Sequence, residues 1–289
     1  MASPKPQIGV HLPHGVPGID GDTMLTWARN ADAAGFSSLG VAERLAYASA
    51  DAVVSLTAAA AVTTRIRLLA NIFISSLRAP AVFAKEVATL SLFAQGRLTV
   101  GVAGGARPQD YEATGVSWDE RGKRVDAALE ALMALATPTD YPHSLGPVPD
   151  PSIEILVGGA SKGAIARMLR FGHGYIGGGV KPEFVGYEIM AVKGAWAAAG
   201  KPGEPRIVAG TWFASDERYD EALEWQQTYL EQGGPPEFVR APIAKGRDGV
   251  RETVEAYAAV GATEVVLFGG VANPAELDWL ADTLADYLG

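Results

Sequence analysis

Short runs of β-branched and aliphatic residues alternate with longer runs whose apolar positions recur at helical spacing, from one end of the chain to the other. The first apolar run, residues 8–12, stops at Pro13. A helical run over 22–34 follows, with Asp22 as its predicted N-cap and Met24, Leu25, Ala28 and Ala31 on one face. Gly35 stands where helices commonly end left-handed. Residues 37–42 predict a second strand, and Asp51 caps a helix running through Val53, Leu56 and Ala60 towards Thr64. Residues 66–74 are almost wholly apolar, as a strand covered on both faces must be. Pro80 suits a first helical turn; Phe83, Val87 and Leu90 follow on one face, and Gly96 closes that helix.

The same rhythm continues. Strands are predicted at 97–102, 153–157, 174–176, 206–213 and 264–268, and helices at 119–135, 161–171, 182–199, 217–231, 250–259 and 274–287. Residues 137–152 carry five prolines and read as a surface loop, and 233–242 are rich in glycine and proline. Eight strand–helix units in 289 residues specify a single-domain (β/α)8 TIM barrel over 1–289, with a doubly wound sheet as runner-up. No GxGxxG follows the first strand, which weighs against the runner-up.

Composition narrows the function classes. The charge of −9 repels phosphate backbones and anionic lipid, so no nucleic-acid or membrane-surface partner is expected. There is no cysteine, which removes disulfides, thiolate nucleophiles and cysteine-held metal centres. The first residues hold no apolar core like that of a signal peptide, and no run can span a bilayer, so a soluble, cytoplasmic protein is expected.

A barrel of this kind works at the carboxyl ends of its strands. Strand one ends at His11 and His14, strand two at Glu43 and Arg44, and strand three near Asn71, Ser75 and Arg78. The histidines invite a metal, but strands five, six and eight offer glycine there, so no metal site is expected. The glycines are more telling. Gly158, Gly159, Ala160 and Ser161 precede a helix, where exposed N–H groups at the positive end of the helix dipole suit an anion. Gly177, Gly178 and Gly179 follow the adjacent strand and extend such a cradle; Gly269-Gly270 is a competing seat, and spacing leaves both open. Lys162 and Lys181 fall outside strand ends, which disfavours a lysine-dependent aldolase.

The block from Thr64 to Gly105 resembles the luciferase-like monooxygenase superfamily, through Thr64-Arg65-Ile66-Arg67-Leu68, Arg78-Ala79-Pro80, Ala88-Thr89-Leu90, Gly96-Arg97-Leu98 and Val100-Gly101-Val102. Ala33-Ala34-Gly35-Phe36, Val41-Ala42-Glu43 and Ala259-Val260-Gly261 fit the same pattern, and the likeness spans most of the chain. The resemblance implies a TIM barrel that binds coenzyme F420 or reduced flavin mononucleotide (FMN). It implies a non-proline cis peptide between Asn71 and Ile72 against the cofactor ring, and close approach of the cofactor at Gly104 and Gly105. It also implies a phosphate held by Gly158, Gly159, Ala160, Ser161, Gly177 and Gly178. Arg44 stands where many members carry histidine, which leaves Glu43 and His11 as the catalytic candidates. The leading expectation is an F420-dependent oxidoreductase acting on a small organic substrate. The alternatives are an FMN-dependent monooxygenase fed by a separate reductase and a non-catalytic flavin-binding barrel. A homodimer is expected through Ala59, Val62, Phe83 and Leu92, which are taken as surface residues of the second and third helices.

Overall fold

Eight parallel strands close into a barrel in the computed structural model, which describes residues 5–135, 145–150, 153–231, 233 and 236–289. They are β1 (Gln7–His11), β2 (Ser38–Val41), β3 (Arg67–Ile74), β4 (Leu98–Ala103), β5 (Glu154–Gly158), β6 (Gly174–Ile176), β7 (Arg206–Ala214) and β9 (Glu264–Gly269). The order around the barrel is β6-β5-β4-β3-β2-β1-β9-β7, and pairing of β6 with β7 closes the ring. A two-residue strand, β8 (Ala244–Lys245), adds to the end of β7 beside Phe213 and was not foreseen. The expected strands lie within a residue or two of the observed ones, because each needs an apolar run covered by helices on one face and barrel core on the other.

The helices are α1 (Gly21–Ala34), α2 (Ala52–Val62), α3 (Pro80–Ala94), α4 (Pro108–Thr114), α5 (Arg121–Leu135), α6 (Lys162–Phe171), α7 (Pro182–Ala198), α8 (Tyr219–Glu231), α9 (Gly246–Ala259) and α10 (Pro274–Thr283). Asp51 and Ser161 cap α2 and α6 as expected, accepting the N–H of Val54 at 2.9 Å and of Ala164 at 3.2 Å. Asp22 does not cap α1. Asp20 does, its extended backbone bringing Oδ1 to 2.8 Å from the N–H of Thr23, while Asp22 lies inside the first turn. At the end of α3 the left-handed seat falls to Gln95 (φ 51°), one residue before Gly96. Helix α4 lies where no helix was predicted, since Pro108 opens it and Gly115 closes it within two turns. Most of the loop predicted over 137–152 lies outside the described residues; 145–150 are irregular.

Inside the barrel, Leu69, Leu156, Ile176, Val208 and Val266 fill the middle layer. Below them lies a charged floor at the amino ends of the strands. Arg206 donates to Glu264 at 2.6 Å and pairs with Glu154, Arg67 reaches Glu154 at 3.1 Å, and the hydroxyls of Ser37 and Ser38 complete Glu264. This end is sealed, so the opposite end is where a ligand can enter. Outside the sheet, Trp27, Phe36, Phe73, Phe83 and Tyr257 are buried under the helices. Ala59 and Phe83 therefore belong to the core, contrary to their expected surface role, and the exposed apolar residues of α2 and α3 are Val54, Val82, Leu92 and Phe93. Among the described residues no helix is long and apolar enough to cross a membrane.

Candidate active site

A cavity of about 970 Å³ opens at the carboxyl ends of the strands. His11, Glu43, Asn71, Ile72, Gly104, Gly105, Gly158, Gly159, Ser161, Gly177 and Gly178 line it; Ala160, in the same turn, does not. Six segments distant in sequence thus meet around one space because their strands end on one rim.

The centre is built on a break in β3. Its register with β4 shifts between Ala70 and Phe73, and the Asn71–Ile72 peptide within that break is cis. Glu43 spans the break: its N–H donates to the Ile72 carbonyl at 3.2 Å, and its carboxylate accepts the N–H of Ile74 at 2.5 Å and pairs with Arg78. Both carboxylate oxygens are therefore engaged, which makes Glu43 a brace of the bulge. His11 is different. Its Nε2 lies 3.0 Å from Nδ2 of Asn71, and its ring packs against Phe268 at 4.3 Å between centroids. Burial holds its pKa well below the usual value, with the neighbouring His14 acting in the same direction, so the ring is neutral at pH 7. His14 is lowered by burial too, against the opposing pull of the Leu12 and Ala42 carbonyls. Gly40 is glycine because the His11 ring occupies the space of its side chain.

The β5 side offers an anion seat. Gly159 has φ 83° with open space where a Cβ would stand, and Ser161 caps α6 through its oxygen while its O–H stays free to donate. Two arginines that sequence reading missed line the same cavity, Arg121 beside Gly104 and Arg167 beside Gly163. Arg121 lies over the Trp118 ring at 4.2 Å with Nη1 donating to the Trp118 carbonyl, and Arg167 is held by Asp126 at 2.6 Å. Arg121 opens α5 and Arg167 lies more than a turn inside α6, so neither stands at a strand end.

Other glycines have packing reasons. Gly177 donates its N–H to the Val208 carbonyl at 3.0 Å and leaves room for the Tyr175 hydroxyl, so it is no phosphate donor. Gly178 backs onto the Phe268 ring. Gly104 has ordinary space for a Cβ at 3.5 Å from Arg121, whereas Gly105 takes φ 69° against Ile74. The competing Gly269-Gly270 turn is shaped by helices: a Cβ on Gly270 would lie 2.5 Å from that of Ala222. Among the described residues no cluster of three or more potential metal ligands occurs.

This arrangement can be set beside known proteins. A sequence model described as luciferase-like monooxygenase matches residues 6–271. The chain belongs to that family. An uncharacterized protein from Mycobacterium tuberculosis is 31% identical over 225 residues, 65% of this chain and 77% of its own. The FMNH(2)-dependent dimethylsulfone monooxygenase of Pseudomonas putida is 28% identical over 155 residues, 48% of this chain and 42% of that protein. Among solved structures, an F420-dependent secondary alcohol dehydrogenase in complex with an F420–acetone adduct shares the fold with a TM-score of 0.81. Its identity is 18%, covering 99% of this chain and 100% of that one. The barrel fold is thus matched over nearly the whole chain.

Proposed function

We propose that this protein is an oxidoreductase that uses coenzyme F420 for hydride transfer to or from a small organic substrate. The reading is carried by one observation: a single cavity joins an anion seat at Gly159, Ser161 and Arg121 to a slot walled by the β3 bulge. A phosphate-bearing tricyclic cofactor needs both, and the residues present fit it. When bound, such a cofactor supplies the hydride chemistry, which no side chain of the cavity can perform. The chain's own part is to orient and to exclude water. Gly159 would admit the phosphate to the backbone, the Ser161 O–H and Arg121 would donate to it, and Asn71–Ile72 would wall the ring. Neutral His11 has one ring nitrogen able to accept a proton and the other to donate, and we assign it proton handling. Glu43 positions the bulge.

The fold shared with an F420-dependent dehydrogenase supports this reading. The similarity to an FMNH(2)-dependent monooxygenase favours a second, in which a separate reductase delivers reduced FMN. Parallel titration with F420 and FMN, followed by absorbance and fluorescence, separates them. F420 binding with hydride transfer to a carbonyl acceptor is expected; binding of FMN alone would move the protein to the second reading, and binding of neither defeats both.

A further inference from the structure

The charges that line the cavity do not balance. Of its carboxylates, Glu43 is committed to Arg78 and the Ile74 N–H, and Asp110 to Arg107 at 3.6 Å and the Ala46 N–H at 2.8 Å. Asp119 is exposed to solvent, and Arg167 has Asp126 at 2.6 Å. Two of the cavity's cations, Arg121 and Arg44, have only neutral hydrogen-bond partners among the described residues. Arg121 belongs to the anion seat. Arg44 has no such use there.

Arg44 follows β2, three strands round the barrel from the seat on β5. Its Nη1 donates to the Tyr229 carbonyl at 2.5 Å and its Nη2 to the Gly233 carbonyl at 3.0 Å, and the guanidinium lies over the Tyr229 ring at 3.4 Å. These partners fix its position and leave its charge uncompensated. Arg107 places a like charge nearby, so Arg44, Arg107 and Asp110 together leave a net positive charge. The titratable groups beside them add none. Burial keeps the His14 ring neutral at pH 7 and pushes the Tyr229 phenol up, so it is neutral as well. A guanidinium carries more N–H donors than two carbonyls accept. Its own desolvation is met on folding, so an arriving anion gains the attraction without further ordering of this group.

The wall beside Arg44 is aromatic and fixed. Trp225 lies 5.0 Å from Tyr229 and donates to the Gly15 carbonyl at 2.9 Å, and both rings line the cavity. Rings held in this way gain affinity from apolar area with little ordering left to do. We infer that Arg44 determines specificity by holding the carboxylate of an anionic substrate, whose apolar body lies against Trp225 and Tyr229. The inference rests on the oxidoreductase reading and names the substrate class for it. Arg44 after β2 and Arg121 after β4 flank the β3 bulge, so substrate anion and cofactor phosphate each meet a cation of their own on either side of it.

The test is calorimetric titration of the purified full chain with 2-naphthoate and 2-naphthamide, alike in shape and different in charge. The carboxylate is expected to bind at least about tenfold tighter, the worth of one charge-assisted hydrogen bond. Equal or tighter binding of the amide overturns the inference, and so does binding of neither. Arg44→Met is expected to remove the preference and Arg44→Lys to keep part of it. Arg44 also ties β2 to α8, so each variant is read beside its melting temperature, and the wild-type pair of ligands decides where a variant does not fold. A preference that survives in folded Arg44→Met overturns the inference. Arg121→Ala locates the anion: loss of the preference in that variant but not in Arg44→Met would put naphthoate in the phosphate seat. Titrations with F420 and FMN complete the set. A cofactor affinity lowered as far by Arg44→Met as by Arg121→Ala would assign Arg44 to the cofactor and overturn the inference. Carboxylate preference without binding of either cofactor sinks the oxidoreductase reading and leaves the subsite; cofactor binding without that preference does the reverse.

Discussion

At the scale of single residues, the anion seat makes the sharpest demand. Gly159→Glu places a negative charge at the proposed phosphate seat and is expected to abolish cofactor binding. Because Gly159 has φ 83°, any side chain there is strained, so Gly159→Ala serves as the control for backbone cost. The alanine variant should lose far less affinity, and equal losses in both would reduce the effect to strain. Gly270→Glu is unsuitable as a control, since its first carbon already collides with Ala222. Arg121→Ala should weaken binding about 10- to 100-fold, the worth of one charge-assisted hydrogen bond, with cofactor fluorescence as the readout. The histidines set a pH limit. The folded state holds His11 and His14 below their ordinary values, so below about pH 6.5 the unfolded chain binds protons that the folded one refuses. Stability is then flat above neutrality and falls as pH drops through about 6.5, by at most about 1.4 kcal/mol per pH unit for each histidine. Thermal melts from pH 8 to 5 should show this slope, and His11→Gln should flatten it.

At the scale of elements, the break in β3 is the feature on which the site depends, and Glu43 holds it. The carboxylate is 5% exposed and its partner Arg78 15%, so this is a buried pair tied to a backbone N–H. Glu43→Ala would strand the Ile74 N–H and leave Arg78 with Glu86 as its nearest partner. A loss of about 3 kcal/mol in urea unfolding is expected. Undiminished stability with hydride transfer abolished would return Glu43 to catalysis. The pattern of Val41-Ala42-Glu43 pointed to an acid at a strand end, but the pattern cannot tell an acid that faces the cavity from one that braces its wall. That distinction depends on Arg78, which lies on a different βα unit.

At the scale of the whole molecule, the barrel leaves an apolar face on α2 and α3 uncovered. Val82 and Phe93 lie on one side of α3, Leu92 is 65% exposed beside them, and Val54 on α2 is 67% exposed. Burying each such side chain is worth about 1.5–3 kcal/mol, enough for a few residues to drive association. We expect a homodimer packed through α2 and α3, with Leu92→Glu shifting it towards monomer in sedimentation equilibrium. A wild-type monomer at micromolar concentration would sink this expectation.

Alternation of apolar runs was enough to specify the barrel, because a parallel strand must be apolar on both faces and each helix on one. Local chemistry likewise placed the Ser161 and Asp51 caps, which depend on neighbours three residues away. The glycine turn before α6 was legible for the same reason. What the pattern could not reach are contacts between units far apart in the chain. Arg121 joins the anion seat only when α5 folds back beside α6, Ala59 and Phe83 enter the core only when α2 and α3 pack, and Asp20 takes the cap from Asp22 by a backbone angle. Arg44 is the clearest case. Alone it is a cation at a strand end; in the folded chain its guanidinium donates to the carbonyls of Tyr229 and Gly233 and ties β2 to α8. Sequence spacing carries local hydrogen bonding and burial period, while the partner of a buried charge is chosen by the barrel's closure.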